Sequence, residues 1–274
     1  MLPLGLPAAE VMPRWLGDLP GASGVRVAQR AAGLVFSCLQ AIGRDRASGI
    51  QPRSVAERAF AMHQLCAEVC RAHRFEIHHE GHPPEGAAVL VANHLSYLDP
   101  IMVAARKPLA LIGKLEVEKW PLLGECGRRH GVLFIDRGNA HAGAVVLKRA
   151  LRVLRAGVPV LNFPEGTTTD GDAMLPFKRG SFGLARLARV PIVPVAIGFE
   201  ASALHWVGDA LFLPHYLRTA ARPVTQVFVR YGEPLDVPRH MRAEVVARHA
   251  HARMTAMIDE MKERASFAGA GEPS

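Results

Sequence analysis

From residue 75 onward, short apolar runs of strand length take turns with stretches whose apolar residues recur every three or four positions. "FEIHHEG" alternates like a strand, "HPPEG" is a turn, and "AAVLVAN" is a continuous apolar run. "LALIG", "VLFID", "VPVLNF", "PIVPVAIGF" and "TQVFVRYG" follow as further strands. Between them, "VEKWPLLGECGRRH" reads as a helix interrupted at Pro121, "AHAGAVVLKRALRVLRAG" as a helix stopped by Gly157, and "SFGLARLAR" as another. A last helix spans "RAEVVARHAHARMTAMIDEMKERA", followed by a frayed tail. Strands that alternate with helices and are apolar along their length belong in a sheet covered on both faces. The order therefore predicts an α/β fold with a mostly parallel or mixed central sheet flanked by helices.

The first part of the chain is different. Residues 1–22 are rich in Pro and Gly and read as irregular; 25–42 and 54–73 read as two helices joined by the polar, basic linker "GRDRASGIQPR". The second helix opens with Ser54 and Glu57 at capping-box spacing. This divides the chain into N-terminal helices over 1–74 and a larger α/β domain over 75–274. The stretch "VRVAQRAAGLVFSCLQAIG" is the closest to a membrane span, but Arg26, Gln29 and Arg30 break it. It suits a helix that lies on a bilayer and does not cross it. Pro3, Pro7, Pro13 and Glu10 make the N-terminus a poor secretory signal.

With 33 Lys and Arg against 25 Asp and Glu, the net charge is +8, which favours anionic partners. Aromatic residues are only 6% and none are interleaved with basic runs, so an anionic membrane surface or a phosphorylated substrate is expected, and no nucleic acid. The cysteines Cys38, Cys66, Cys70 and Cys126 lack finger-like spacing and read as buried thiols of a cytosolic protein. His78 and His79 point to opposite faces of a strand, and His249 and His251 to different helix faces, so no metal site is expected.

In sheets of this kind, ligands gather outside the carboxyl ends of the strands. Three polar clusters sit there: "NHLSYLD" after "VLVA", "RGN" after "VLFID", and "PEGTTTDG" after "VLNF". In the first, His94 has a side chain suited to proton transfer near neutral pH, and Asp99 can fix its tautomer and stabilise the imidazolium. A lone loop histidine is more often only hydrogen-bonded, and Asp99 before Pro100 also fits a plain helix start. The company of Asn93, Ser96 and Asp99 at a strand end brings the catalytic reading level. Arg137 is a guanidinium fork for phosphate or carboxylate, or else a surface partner of Asp136. Pro164 and Gly166 force a turn whose amides can cradle an anion, Glu165 can orient a hydroxyl or meet a basic residue, and Thr167, Thr168 and Thr169 supply hydroxyls. Lys178 and Arg179 add positive charge beside that turn, where a solvated surface pair is the ordinary case.

"NHLSYLD" resembles the first sequence block of the PlsC-like glycerolipid acyltransferases, "VLFIDR" the second, "FPEGT" the third and "VPIVPVAI" the fourth, in the family's order over roughly residues 75–200. The resemblance implies a glycerol-3-phosphate acyltransferase-like fold preceded by a membrane-docking helical pair. It implies transfer of a fatty acyl group from acyl-CoA or acyl carrier protein, as co-substrate and with no other cofactor, to the hydroxyl of a lysolipid. His94 would be the general base and Asp99 its partner. Arg137, Glu165, Gly166 and Thr167 match positions that bind the acceptor's head group, and Lys114 a basic position that holds its phosphate. Asn93, Ser96 and Lys178 join them as expected substrate contacts. The enzyme would then sit at the cytoplasmic face of the cell membrane.

The family pattern names lysophosphatidic acid, giving phosphatidic acid, as the acceptor. One position departs from it. Phosphatidate-forming members continue "EGT" with arginine, and here Thr168 stands instead. Sequences reading EGTT are similar to acyltransferases for lyso-ornithine lipid or lysophosphatidylcholine. A thioesterase or lipase that activates water with the same His94/Asp99 pair is the alternative reaction.

Overall fold

A computed structural model describes residues 21–47, 49, 53–136, 138 and 140–269. Two helices come first, α1 (Gly21–Ala47) and α2 (Val55–His73). The capping box is formed: the Glu57 amide donates to Ser54 Oγ at 3.2 Å and the Ser54 amide to Glu57 Oε2 at 2.7 Å. Such a cap contributes about 1 kcal/mol. Arg74 closes α2 in the left-handed conformation, at φ 54°.

The remainder alternates as the pattern predicts. It comprises β1 (Phe75–Glu80), β2 (Val89–Ala92), α3 (Asp99–Ala104), β3 (Ala110–Lys114), α4 (Leu115–Glu118), α5 (Leu123–Arg129), β4 (Leu133–Ile135), α6 (Ala140–Arg155) and β5 (Val160–Asn162). Then come α7 (Gly180–Ala188), β6 (Ile192–Phe199), α8 (Phe212–Ala221), β7 (Thr225–Tyr231) and α9 (Ala243–Gly269). The interruption expected at Pro121 separates α4 from α5. Helix α8, "FLPHYLRTAA", has no counterpart in the sequence reading, because Pro214 breaks its pattern. Pro214 falls in the first turn, where a missing amide leaves no helical bond unmade. Helix α9 also continues past Ala265, where the sequence reading ends it.

The seven strands form one sheet in the order β1-β7-β6-β2-β5-β3-β4. Every neighbouring pair is parallel except β6 and β7, which makes the sheet mixed. All four residues of β2 are buried, as a strand covered on both faces must be. Leu90, Leu161, Val193 and Val195 pack beneath α2 and α3, with Met62, Cys66 and Cys70 of α2 in the same core. Val89, Val91, Val160 and Ile192 face α6, α7 and α9. All four cysteines are buried with free thiols, and burial pushes the Cys66 and Cys70 thiols up.

Helix α1 buries Cys38, Ala41 and Ile42 against Leu65 and Val69 of α2 and Cys126 of α5, but it is apolar on its outer side as well. Arg30, Ser37 and Asp45 are buried, whereas Val25, Val35, Phe36 and Leu39 stand exposed. Arg30 donates to the carbonyls of Ala220, Arg222 and Pro223 at the end of α8. Asp45 accepts from Arg53 and Arg129.

Candidate active site

Strands β2 and β5 are neighbours at the centre of the sheet, so the loops after them meet at its carboxyl edge. The first loop folds around one carboxylate. Asp99 is completely buried, and its Oδ2 accepts from the amides of Leu95 (2.7 Å) and Ser96 (2.9 Å) and from His94 Nδ1 (2.8 Å). The interval of five residues works because the loop wraps back on the first turn of α3. A carboxylate at Nδ1 selects the tautomer with its proton there, which leaves the lone pair on Nε2. The opposite constraint comes from Phe163, whose ring stacks on the imidazole at a centroid distance of 4.1 Å and 21° between planes. Such stacking contributes about 0.5–1.5 kcal/mol and fixes the ring plane. Phe163 is missed by the sequence reading, where it is only the last apolar residue of a strand.

The third cluster braces the first. Glu165 is buried; its Oε1 accepts from the His94 amide and its Oε2 from the Leu175 amide, both at 2.9 Å. Burial raises its carboxyl above the ordinary value, opposed by those two amides and by His94 and His251 nearby. The Thr169 amide donates to the His94 carbonyl at 2.8 Å. Glu165 was expected to meet an acceptor head group; both its oxygens instead hold the backbone of His94 and of the following loop. Its neighbour Gly166 has φ +81°, and a Cβ there would lie 2.3 Å from Lys178 Nζ. The flexible lysine end could move aside; it is the positive φ that makes glycine the residue for this turn. Thr167 is exposed beside it.

Two expected substrate contacts have other duties. Asn93 is buried and exchanges two hydrogen bonds with the backbone of Ile197, donating at 2.9 Å and accepting at 2.8 Å, so it ties the end of β2 to β6. Ser96 is fully buried and contributes its amide to Asp99. The short polar side chain of Asn93 satisfies backbone groups that a strand end leaves unpaired, whereas Ser96 acts through its amide and its Oγ is buried with no partner among the described residues. Lys114 is apart from the pair: it ends β3, is half exposed, and meets Glu116 at 3.2 Å. Arg137 lies outside the described residues.

A cavity of about 760 Å³ opens next to the loop that carries the pair; it is lined by the neighbours of His94 and not by His94 or Asp99 themselves. Asn93, Leu95, Glu165 and Thr169, which flank His94, form one end, and Phe228, Ile258 and Met261 of β7 and α9 contribute to the rest. Its size is that of a site for a large apolar ligand. The arrangement offers a proton acceptor at Nε2, a carboxylate to stabilise the charged imidazole, and an adjoining apolar chamber.

A family model described as Acyltransferase matches residues 74–198. The lyso-ornithine lipid O-acyltransferase of Pseudomonas aeruginosa is 32% identical over 197 residues, 70% of this chain and 76% of that protein. The 1-acyl-sn-glycerol-3-phosphate acyltransferase of Neisseria gonorrhoeae is 34% identical over 116 residues, 42% of this chain and 45% of that protein. The crystal structure of the 1-acyl-sn-glycerophosphate (LPA) acyltransferase PlsC from Thermotoga maritima aligns with a TM-score of 0.64 at 21% identity, over 88% of this chain and 98% of that one. The mixed sheet with its helices is thus the fold of that enzyme. With the four sequence blocks in order and a relative matched over most of its length, the chain belongs to the PlsC-like acyltransferase family.

Proposed function

We propose that the protein transfers a fatty acyl group from acyl-CoA or acyl carrier protein to the free hydroxyl of lyso-ornithine lipid at a membrane surface. The observation that carries the chemistry is the imidazole of His94, clamped between Asp99 and Phe163 beside a cavity of about 760 Å³. In the reaction, Nε2 takes the proton of the acceptor hydroxyl as its oxygen attacks the thioester carbonyl. The carbon–oxygen bond forms, the carbon–sulfur bond breaks, and the leaving thiolate takes the proton back from the imidazolium. Asp99 stabilises the imidazolium through Nδ1, and no acyl-enzyme is needed. The cavity holds one hydrocarbon chain.

Two observations support this acceptor over lysophosphatidic acid. Thr168 replaces the arginine of phosphatidate-forming members, so one guanidinium fork for a phosphate is missing. The lyso-ornithine lipid acyltransferases of Pseudomonas aeruginosa and Rhizobium meliloti match 70% and 68% of the chain, against 42% for the Neisseria gonorrhoeae enzyme named for 1-acyl-sn-glycerol 3-phosphate. An ornithine head group carries a carboxylate and an ammonium and no phosphate. Arg137 and Lys178 are our candidates for the carboxylate. The membrane reading rests on α1: an exposed apolar face on a chain of net charge +8 suits an anionic bilayer on its cytoplasmic side. Among the described residues, no helix is long and apolar enough to cross a membrane.

The test is purified protein with labelled acyl-CoA or acyl carrier protein and a panel of lyso-ornithine lipid, lysophosphatidic acid and lysophosphatidylcholine. Diacyl product forms fastest from lyso-ornithine lipid. Faster product from lysophosphatidic acid would overturn the acceptor and leave the reaction class; free fatty acid alone would make the enzyme a hydrolase.

A further inference from the structure

Helix α8 carries a surface that the proposed chemistry does not use. Its first turn leaves Leu211 72% and Leu213 54% exposed, and Leu211 is the most exposed large apolar side chain among the described residues. Single exposed leucines are ordinary on protein surfaces. These two differ because Phe212, between them, is anchored inward on Trp120 at 4.4 Å and on Tyr97 at 5.0 Å between ring centroids. Tyr97 belongs to the His94–Asp99 loop. Its ring also meets Trp206 edge-on at 5.5 Å, its hydroxyl meets His215 Nδ1 at 3.2 Å, and the Trp206 amide donates to the Leu95 carbonyl at 2.7 Å. The exposed leucines therefore stand on an aromatic cluster fastened to the loop that carries His94.

The chemistry of this patch commits it to a lipid surface. Trp and Tyr beside exposed leucines form the pattern of a bilayer interface, where rings sit at head-group depth. Charge does not decide the matter: Asp209 offsets Arg218, Arg222 is paired with Glu200 at 2.7 Å, and the exposed Lys119 follows Glu116 and Glu118, so the patch is close to neutral and its apolar side chains carry the contact. Continuity with α1 points the same way. Arg26 and Arg30 of α1 donate to the carbonyls of Ala220, Ala221, Arg222 and Pro223, which bolts the helix with the exposed apolar face to the end of α8.

We infer that the first turn of α8, through Leu211 and Leu213, is a second bilayer contact, separate from α1 and placed beside the His94 loop. The inference rests on the reading that the enzyme works at a membrane, and the experiment separates the two. Full-length protein is partitioned onto vesicles of phosphatidylethanolamine and phosphatidylglycerol. Leu211→Asp/Leu213→Asp is compared with Phe36→Asp/Leu39→Asp on α1 and with wild type.

The α8 variant should lose at least about tenfold in partition, since two leucines leave the apolar phase. Its rate on vesicle-borne acceptor should fall relative to its rate on a dispersed short-chain acceptor. Unchanged partition for α8 with loss for α1 would sink the α8 contact and leave the membrane reading standing; no change in either would sink both. A rate lost only with acyl carrier protein as donor, at unchanged partition, would assign the patch to that protein and overturn the inference. Should the double variant fail to melt cooperatively, Leu211→Ser and Leu213→Ser singly carry the same comparison.

Discussion

The ends of β2 and β5 and the ends of β3 and β4 lie on one edge of one sheet, yet they are built in opposite ways. At β2 and β5, the side chains of Asp99, Glu165 and Asn93 around His94 are buried and each takes part in two or more hydrogen bonds. Asp99 takes three donors on one oxygen, Glu165 bridges two backbone amides, and Asn93 exchanges two bonds with Ile197. At β3 and β4, Lys114 is half exposed and pairs with the exposed Glu116, and Asp136 is exposed, accepting from the amide of Gly138 at the turn. A general base must be held within fractions of an ångström, which takes buried hydrogen bonds in a low dielectric. A cation that attracts a head group acts over several ångströms and tolerates motion. In the proposed reaction, the buried end is the part built for chemistry and the exposed end the part built for attraction.

The comparison can be broken first at His94. His94→Ala should lower the acyl-transfer rate at least about a hundredfold while leaving the melting transition cooperative; turnover close to wild type would remove the base from the buried side. Asn93→Ala comes next. It strands the amide and carbonyl of Ile197 in a buried site, and should cost about 3 kcal/mol in chemical denaturation, with activity falling alongside. A loss under about 0.5 kcal/mol would mean that the bracing is ornamental.

Glu165 sharpens the comparison through pH. Its folded carboxyl is raised above the ordinary 4.5 by burial. A raised acid contributes stability below its unfolded value, and that contribution is lost as pH rises through the folded value. Wild type should therefore lose stability relative to Glu165→Gln as pH climbs from about 4.5, seen as a shrinking difference in Tm. The opposite slope would mean that the two amides outweigh burial and that Glu165 braces the loop as an ion. The smallest effect is expected at the exposed end. Lys114→Ala should change stability by less than about 0.5 kcal/mol, with any kinetic change confined to the acceptor KM. A fall in kcat like that of His94→Ala would erase the distinction between the two strand ends.

Much of the site is legible in the chain because its parts are local. His94 and Asp99 are five residues apart, so a loop turning into a helix brings them together with little choice. Gly166 follows Glu165 in a turn that only a residue of positive φ completes. Phe163 is not legible: its stacking on His94 joins positions 69 residues apart, and in one dimension it is a plain apolar strand residue. Asn93 and Glu165 were read as substrate contacts, since a polar side chain at a strand end looks alike whether it faces a ligand or a backbone amide. Helix α8 escaped notice because a proline in a first turn resembles a helix breaker.

The sequence alone determined the alternation of elements, the buried strands, the capping box of α2 and the pairing of His94 with Asp99, since each depends on neighbours along the chain. Only the tertiary structure decided which face of α1 looks outward, which polar groups brace His94, and where the apolar cavity opens. Those depend on partners about a hundred residues away, as between Asn93 and Ile197, and no local periodicity encodes them.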